Sequence, residues 1–131
     1  MSLVKLDATG LRNLLSLTLE PGPGLNFIIG PNASGKTSLL EAIYLLGRAR
    51  SFRTSQINQL IRLGETALTV VGKVGADGAE TPIGIRIARG KREIHAGGRV
   101  VTSSAALLEV FPLLVIQPAG IALLEGPPKL R

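Results

Sequence analysis

Residues 30–37 read Gly-Pro-Asn-Ala-Ser-Gly-Lys-Thr. This G-x-x-x-x-G-K-T pattern constrains the fold more than any other stretch of the chain. It describes a loop that turns its own backbone N–H groups inward around phosphate oxygens, and it is meaningful only between a strand and a helix. The flanks have that character. Leu25-Asn26-Phe27-Ile28-Ile29 is an apolar run of strand length and is read as a buried strand. Thr37 to Leu46 consists of good helix formers at helical spacing. Each fixed position of the pattern has a job. Gly30 and Gly35 let the backbone approach an anion closely. The following helix adds unpaired N–H groups and the positive end of its dipole. Lys36 reaches the terminal phosphates as a point charge, and the Thr37 hydroxyl completes the coordination of Mg²⁺. The expected nucleotide-binding set is Gly30, Pro31, Asn32, Ala33, Ser34, Gly35, Lys36, Thr37 and Ser38, with Thr37 as the metal contact.

At 131 residues, 45% hydrophobic and 18% charged, the chain has the length and composition of one globular domain with one core. Its apolar runs fall far short of the ~20 residues of a membrane span. The start, Met1-Ser2-Leu3-Val4-Lys5, has no apolar signal region, and the chain contains no Cys. Disulfide and thiolate chemistry are excluded, and a cytoplasmic location is expected. The net charge is +6 and the pI about 10.5, which suits a nucleic-acid partner without specifying one. The aromatic residues are only Phe27, Tyr44, Phe52 and Phe111. A DNA partner is therefore expected to be held through its phosphates rather than by base stacking.

Two strands are expected before the loop, at Val4 to Ala8 and at Leu15 to Leu19, with Thr9-Gly10 as a break and Pro21 to Gly24 as a turn. After the helix, Gly47 to Thr54 carries Arg48, Arg50 and Arg53. It is either a solvated basic loop or a contact for phosphate. Ile57, Leu60 and Ile61 give 55–62 the pattern of a short amphipathic helix ended by Gly64. From about residue 66 to 101 the period changes to two, with turns at Asp77-Gly78, Gly90 and Gly97-Gly98. This is an antiparallel meander whose polar face and turns carry Arg86, Arg89, Lys91, Arg92 and Arg99. Either an ordinary solvated face or a DNA contact accounts for them. His95, the only histidine, has no co-ligands nearby and is read as structural. Ser103 to Val110 is a helix capped by Thr102 or Ser103, and Leu113 to Ile116 is a buried strand.

Efficient hydrolysis needs a carboxylate at the end of a second apolar strand and a group that orients the attacking water. The apolar runs here end in Gly30, Lys73 and Gln117. The expectation is a chain that binds a nucleoside triphosphate but does not hydrolyse it efficiently by itself.

Leu11-Arg12-Asn13-Leu14, the loop and helix from Gly30 to Tyr44, the Ser51-Phe52-Arg53 loop and the Pro/Leu/Gly/Pro/Arg spacing within 113–131 together resemble the N-terminal part of the RecF family. The resemblance covers the whole chain. It implies an α/β P-loop NTPase of the ABC/SMC-like head type, with a mixed sheet around the P-loop plus an antiparallel β lobe, left incomplete by these residues. The parts would be a P-loop region at 1–64, the meander at 66–101 and a helix, strand and Q-loop-like segment at 102–131. It further implies ATP and Mg²⁺ as cofactors, an ATP-dependent dimer, DNA gaps and single-strand/double-strand junctions as ligands, and RecR and RecO as partners in replication, repair and the SOS response, without a membrane. Arg12 would lie near the phosphates, and Gln117 would stand at the Q-loop, where this chain has Ala119 in place of the family's usual acidic residue. The signature motif and the Walker B acid would lie beyond Arg131. Two other readings are open from the residues alone: a small-molecule P-loop kinase, and a non-catalytic module that binds DNA or a partner.

Overall fold

The structure, a computed structural model, describes residues 2–31 and 35–116. Strands β1 (Ser2–Leu11) and β2 (Leu14–Leu19) form a hairpin. Helix α1 (Lys36–Arg48) and a 3₁₀ turn (Ile57–Leu60) follow. Strands β3 (Ala67–Ala76), β4 (Ala79–Ala88), β5 (Lys91–Ala96) and β6 (Arg99–Val101) make the expected meander, and α2 (Ser104–Val110) closes the described order. The six strands form one sheet in the order β2-β1-β3-β4-β5-β6, with antiparallel pairing throughout. The antiparallel meander is thus continuous with the N-terminal hairpin. β1 runs through the expected break at Thr9-Gly10 as far as Leu11.

Alternation decides which face is covered. Leu68, Val70 and Val74 of β3 and Ile83, Ile85 and Ile87 of β4 are buried on one side with Leu6, Ala8 and Leu11 of β1. α1 lies across that side and buries Leu39, Ala42, Leu45 and Leu46, the helical stripe of its sequence. Gly72 of β3 lets the helix approach: a Cβ there would stand 2.6 Å from Leu46 Cδ2 and 2.8 Å from the Lys5 carbonyl oxygen. α2 is capped at Ser103, whose Oγ accepts from the Ala105 N–H at 3.1 Å, and adds Leu107 to the core.

Three expectations are corrected. Residues 25–29 form no strand; they run as irregular chain, with Phe27 78% and Ile29 91% exposed. Residues 113–116 are likewise not a strand, and Ile116 is 82% exposed. Both runs have strand composition, but a strand needs a neighbouring ladder, and none of the described strands pairs with them. The third correction is the helix at 55–62, which is a single 3₁₀ turn. Its backbone is claimed elsewhere: Arg12 N–H donates to Leu60 O (2.8 Å), Arg62 N–H donates to Gly10 O (2.7 Å), and Ile61 bridges Leu11. Thr54 Oγ1 also accepts from the Gln56 N–H, an alternative to a helical bond.

The two kinds of apolar residue separate in stability measurements. Leu45→Ala, inside the core, is expected to cost about 2–5 kcal/mol in urea denaturation, whereas Leu25→Ala stays within about 0.5 kcal/mol. Gly72→Val, which drives side-chain atoms into the Lys5 carbonyl and Leu46, is expected to cost about 1–3 kcal/mol or more, read as a lower unfolding midpoint.

Candidate functional site

The N-terminal end of α1 has no side-chain cap. Gly35 caps it with φ +96°, a left-handed conformation, and its Cα sits where a Cβ would be 2.9 Å from Leu14 Cδ2. The only residue that suits both requirements is glycine. Lys36 is the first helical residue, and its ammonium donates to the carbonyl of Gly30 across the loop. The N–H groups of the first helical turn lack intrahelical acceptors and point, with the dipole, out of this end. Arg12, Asn13, Gly35, Lys36, Thr37, Ser38 and Arg53 line a cleft of about 450 Å³ here.

The β1–β2 turn forms one wall. Arg12 holds φ +48° in that turn, and Asn13 Oδ1 accepts from Ser38 Oγ at 2.9 Å. Ser38 is buried, so it fastens α1 to the turn. The exposed Thr37 offers its hydroxyl at the helix start. That single oxygen fits a Mg²⁺ carried by a nucleotide, whose own phosphates and waters supply the other ligands. Among the described residues, no group of three His, Cys, Asp or Glu could hold a metal by itself.

The 51–54 loop forms the other wall. Glu41, on α1 and 0% exposed, accepts Arg12 Nε at 2.5 Å and Arg12 Nη2 at 3.2 Å on its two oxygens. Ser51 Oγ also donates to Glu41 Oε2, and Arg53 Nη1 stands 3.8 Å from Oε1. Ser51 Oγ in turn accepts from the N–H groups of Arg53 and Thr54. A second cleft of about 800 Å³ opens beyond this loop, where Arg50, Arg53 and Arg92 surround Tyr44 and Phe52. Those two rings meet edge to face at 5.4 Å.

The structure therefore brings Gly35, Lys36, Thr37, Ser38 and Arg12 together. Gly30 joins them through Lys36, and the exposed Pro31 follows Gly30. Asn32, Ala33, Ser34 and Gln117 lie outside the described residues. The basic residues expected on DNA do not form one surface. Residues paired across strands share a face. Arg92 pairs with the buried Ile87, and Arg99 with Ala96, so both belong to the helix side. Arg86 pairs with Glu93, and Lys91 with Ala88, so both belong to the outer side. Arg89 occupies the turn between β4 and β5, with φ +49°. Arg48 is engaged structurally: it lies 5.8 Å over the Tyr44 ring and donates to Leu113 O at 3.0 Å. Arg92 donates to Ala49 O at 2.6 Å. His95 is exposed on the outer face.

Sequence reasoning missed the roles of Glu41, Asn13 and Ser51. Glu41 did leave a signal: it is a carboxylate flanked by Leu39, Ala42 and Leu45 on the apolar stripe of a helix, and such a position demands a buried counter-charge.

The family model described as the RecF/RecN/SMC N terminal domain matches residues 2–118. The DNA replication and repair protein RecF of Pseudomonas syringae pv. syringae (strain B728a) is 45% identical over 133 residues, and the match covers 100% of this chain and 36% of that protein. The RecF of Stutzerimonas stutzeri (strain A1501) is 47% identical with the same coverage. This chain thus spans about a third of the length of the curated relatives it matches. A solved chain described as the recombination mediator protein RecF-ATP in the RecFOR pathway superposes with a TM-score of 0.88 at 34% identity, over 98% of this chain and 35% of that one. A solved chain from work on ATP-driven dimerization and DNA stimulated activation of SMC ATPases superposes with a TM-score of 0.79 over 98% of this chain and 94% of that one; at 20% identity it shows the shared fold. With the P-loop NTPase head fold and the loop-to-helix site in place, this chain belongs to the RecF/RecN/SMC N-terminal domain family and matches the N-terminal portion of RecF.

Proposed function

We propose that these residues are the ATP-binding part of a RecF-type DNA replication and repair protein. The observation that carries the reading is the cleft at the start of α1, where Lys36, Thr37, Arg12 and Arg53 converge on the open end of a helix. That arrangement suits a triphosphate: backbone N–H groups and the helix dipole for one phosphate, and three cationic side chains for the rest. Mg²⁺ arrives with the nucleotide and takes the Thr37 hydroxyl. The ATP-bound RecF neighbour supports the choice of ligand.

In this reading the remaining two thirds of a RecF-length protein complete the ATPase head and supply the hydrolytic carboxylate. ATP then joins two such heads as a dimer that engages DNA at gaps and junctions in the cytoplasm, with RecR and RecO as partners in the SOS response. What supports this over a small-molecule kinase is the family match together with a hairpin and a meander built into one sheet beneath the P-loop helix. Of the acidic side chains near α1, Glu41 is already held by Arg12 and is not free to orient a water. No helix among the described residues is long and apolar enough to cross a membrane.

Binding of Mg²⁺-ATP, followed by titration calorimetry, is expected to weaken on the order of a hundredfold in Lys36→Ala, the loss of about two charge-assisted hydrogen bonds. Steady-state turnover by the unaltered chain is expected to be slow; a brisk rate would contradict the division of labour proposed here. DNA affinity, measured by fluorescence anisotropy on a gapped duplex, is expected to fall linearly in log–log form with salt, because phosphate contacts dominate. An affinity that does not change with salt would rule out binding through the arginine-rich surfaces.

A further inference from the structure

Glu41 is the only acidic side chain among the described residues that is buried. A carboxylate is stable in that position only if its charge is matched and its oxygens are filled by donors. Both conditions are met, and the partners come from separate segments: Arg12 from the β1–β2 turn, and Ser51 and Arg53 from the loop after α1. The two guanidiniums share a further property, since both line the P-loop cleft beside Lys36 and Thr37.

Two arginines beside a lysine repel one another, and each loses side-chain freedom when it is held in one place. A shared counter-charge beneath them offsets part of the repulsion and orders the two side chains before a ligand arrives. Arg12 spends Nε and one Nη2 proton on Glu41, which leaves the rest of its five donors for another acceptor. Arg53, at 3.8 Å, is held by charge more than by a hydrogen bond and keeps its fork free.

We infer that Glu41 is the positioning residue of the nucleotide site: it gathers Arg12 and Arg53 and directs their remaining donors at the terminal phosphates of the nucleotide on the P-loop. The inference rests on the ATP-binding reading above. It also moves Arg53 from the expected DNA surface into the nucleotide site. Glu41 touches no phosphate; it acts through the two arginines.

The test is calorimetric binding of Mg²⁺-ATP and Mg²⁺-ADP to the chain and to its Glu41→Gln, Arg53→Ala and Lys36→Ala variants, each first shown to be folded by circular dichroism. Glutamine fills the same volume and still accepts from Ser51, but carries no charge. Glu41→Gln and Arg53→Ala are each expected to weaken ATP about tenfold, the loss of about one charge-assisted hydrogen bond, and to weaken ADP much less. A purely structural ion pair would lower the melting temperature and leave the ATP-to-ADP preference unchanged. Arg53 is partly exposed and its removal leaves the Arg12–Glu41 pair in place, so an unchanged ATP-to-ADP preference in Arg53→Ala overturns the inference even if Glu41→Gln does not fold. An unchanged preference in these variants, or tighter ATP binding, overturns the inference. If Lys36→Ala weakens ATP while these variants do not, only the role of Glu41 falls; if Lys36→Ala also has no effect, the nucleotide reading falls with it.

Discussion

Helix α1 is held along one face and open at one end. Its dipole and its unpaired N–H groups serve an anion only if that end is kept still, because a misplaced donor loses most of its value. The holding is done by Leu39, Ala42, Leu45 and Leu46 against the covered side of the sheet, with Gly72 allowing close contact. Everything else at the cleft is referred to this helix. Ser38 fastens it to Asn13, Glu41 fastens it to Arg12, and Ser51 brings the following loop against the same carboxylate. The site is thus a helix terminus flanked by two loops that the helix itself holds in place.

Much of this was legible in the residues. The helix after the loop, the period-two meander with its Asp77-Gly78 turn and the capped α2 all depend on signals within a few residues of each other, and all are present. What failed depends on partners distant in sequence. Leu25 to Ile29 and Leu113 to Ile116 have the composition of buried strands, but composition cannot say what a strand pairs with, and both runs are irregular here. The segment at Ile57–Leu60 has the apolar spacing of a longer helix, but the end of β1 takes its backbone groups. The pairing of Glu41 with Arg12 spans 29 residues and has no local signature beyond a charge on an apolar stripe.

The arginines show the same limit in another form. Along the sequence, Arg86, Arg89, Lys91, Arg92 and Arg99 look like one basic cluster. The register divides them, placing Arg86 and Lys91 on the outer side and Arg92 and Arg99 on the helix side. Two of the expected DNA contacts, Arg48 and Arg92, already donate to the backbone carbonyls of Leu113 and Ala49. Net charge describes the chain as a whole; the pleat decides where a phosphate would meet it.

The position of β1 has a consequence for how the site comes into being. β1 is hydrogen-bonded on both sides, to β2 and to β3, yet β3 begins only at Ala67. A chain leaving the ribosome has therefore made the whole of α1, with Leu45 and Leu46 uncovered, before the strand that completes the sheet beneath it exists. Until β3 arrives, the loop at 30–37 is only a length of sequence with a recognisable spelling. In the proposed reading, any hold on phosphate at the start of α1 depends on residues synthesised well after the motif, and belongs to the finished sheet as much as to the motif.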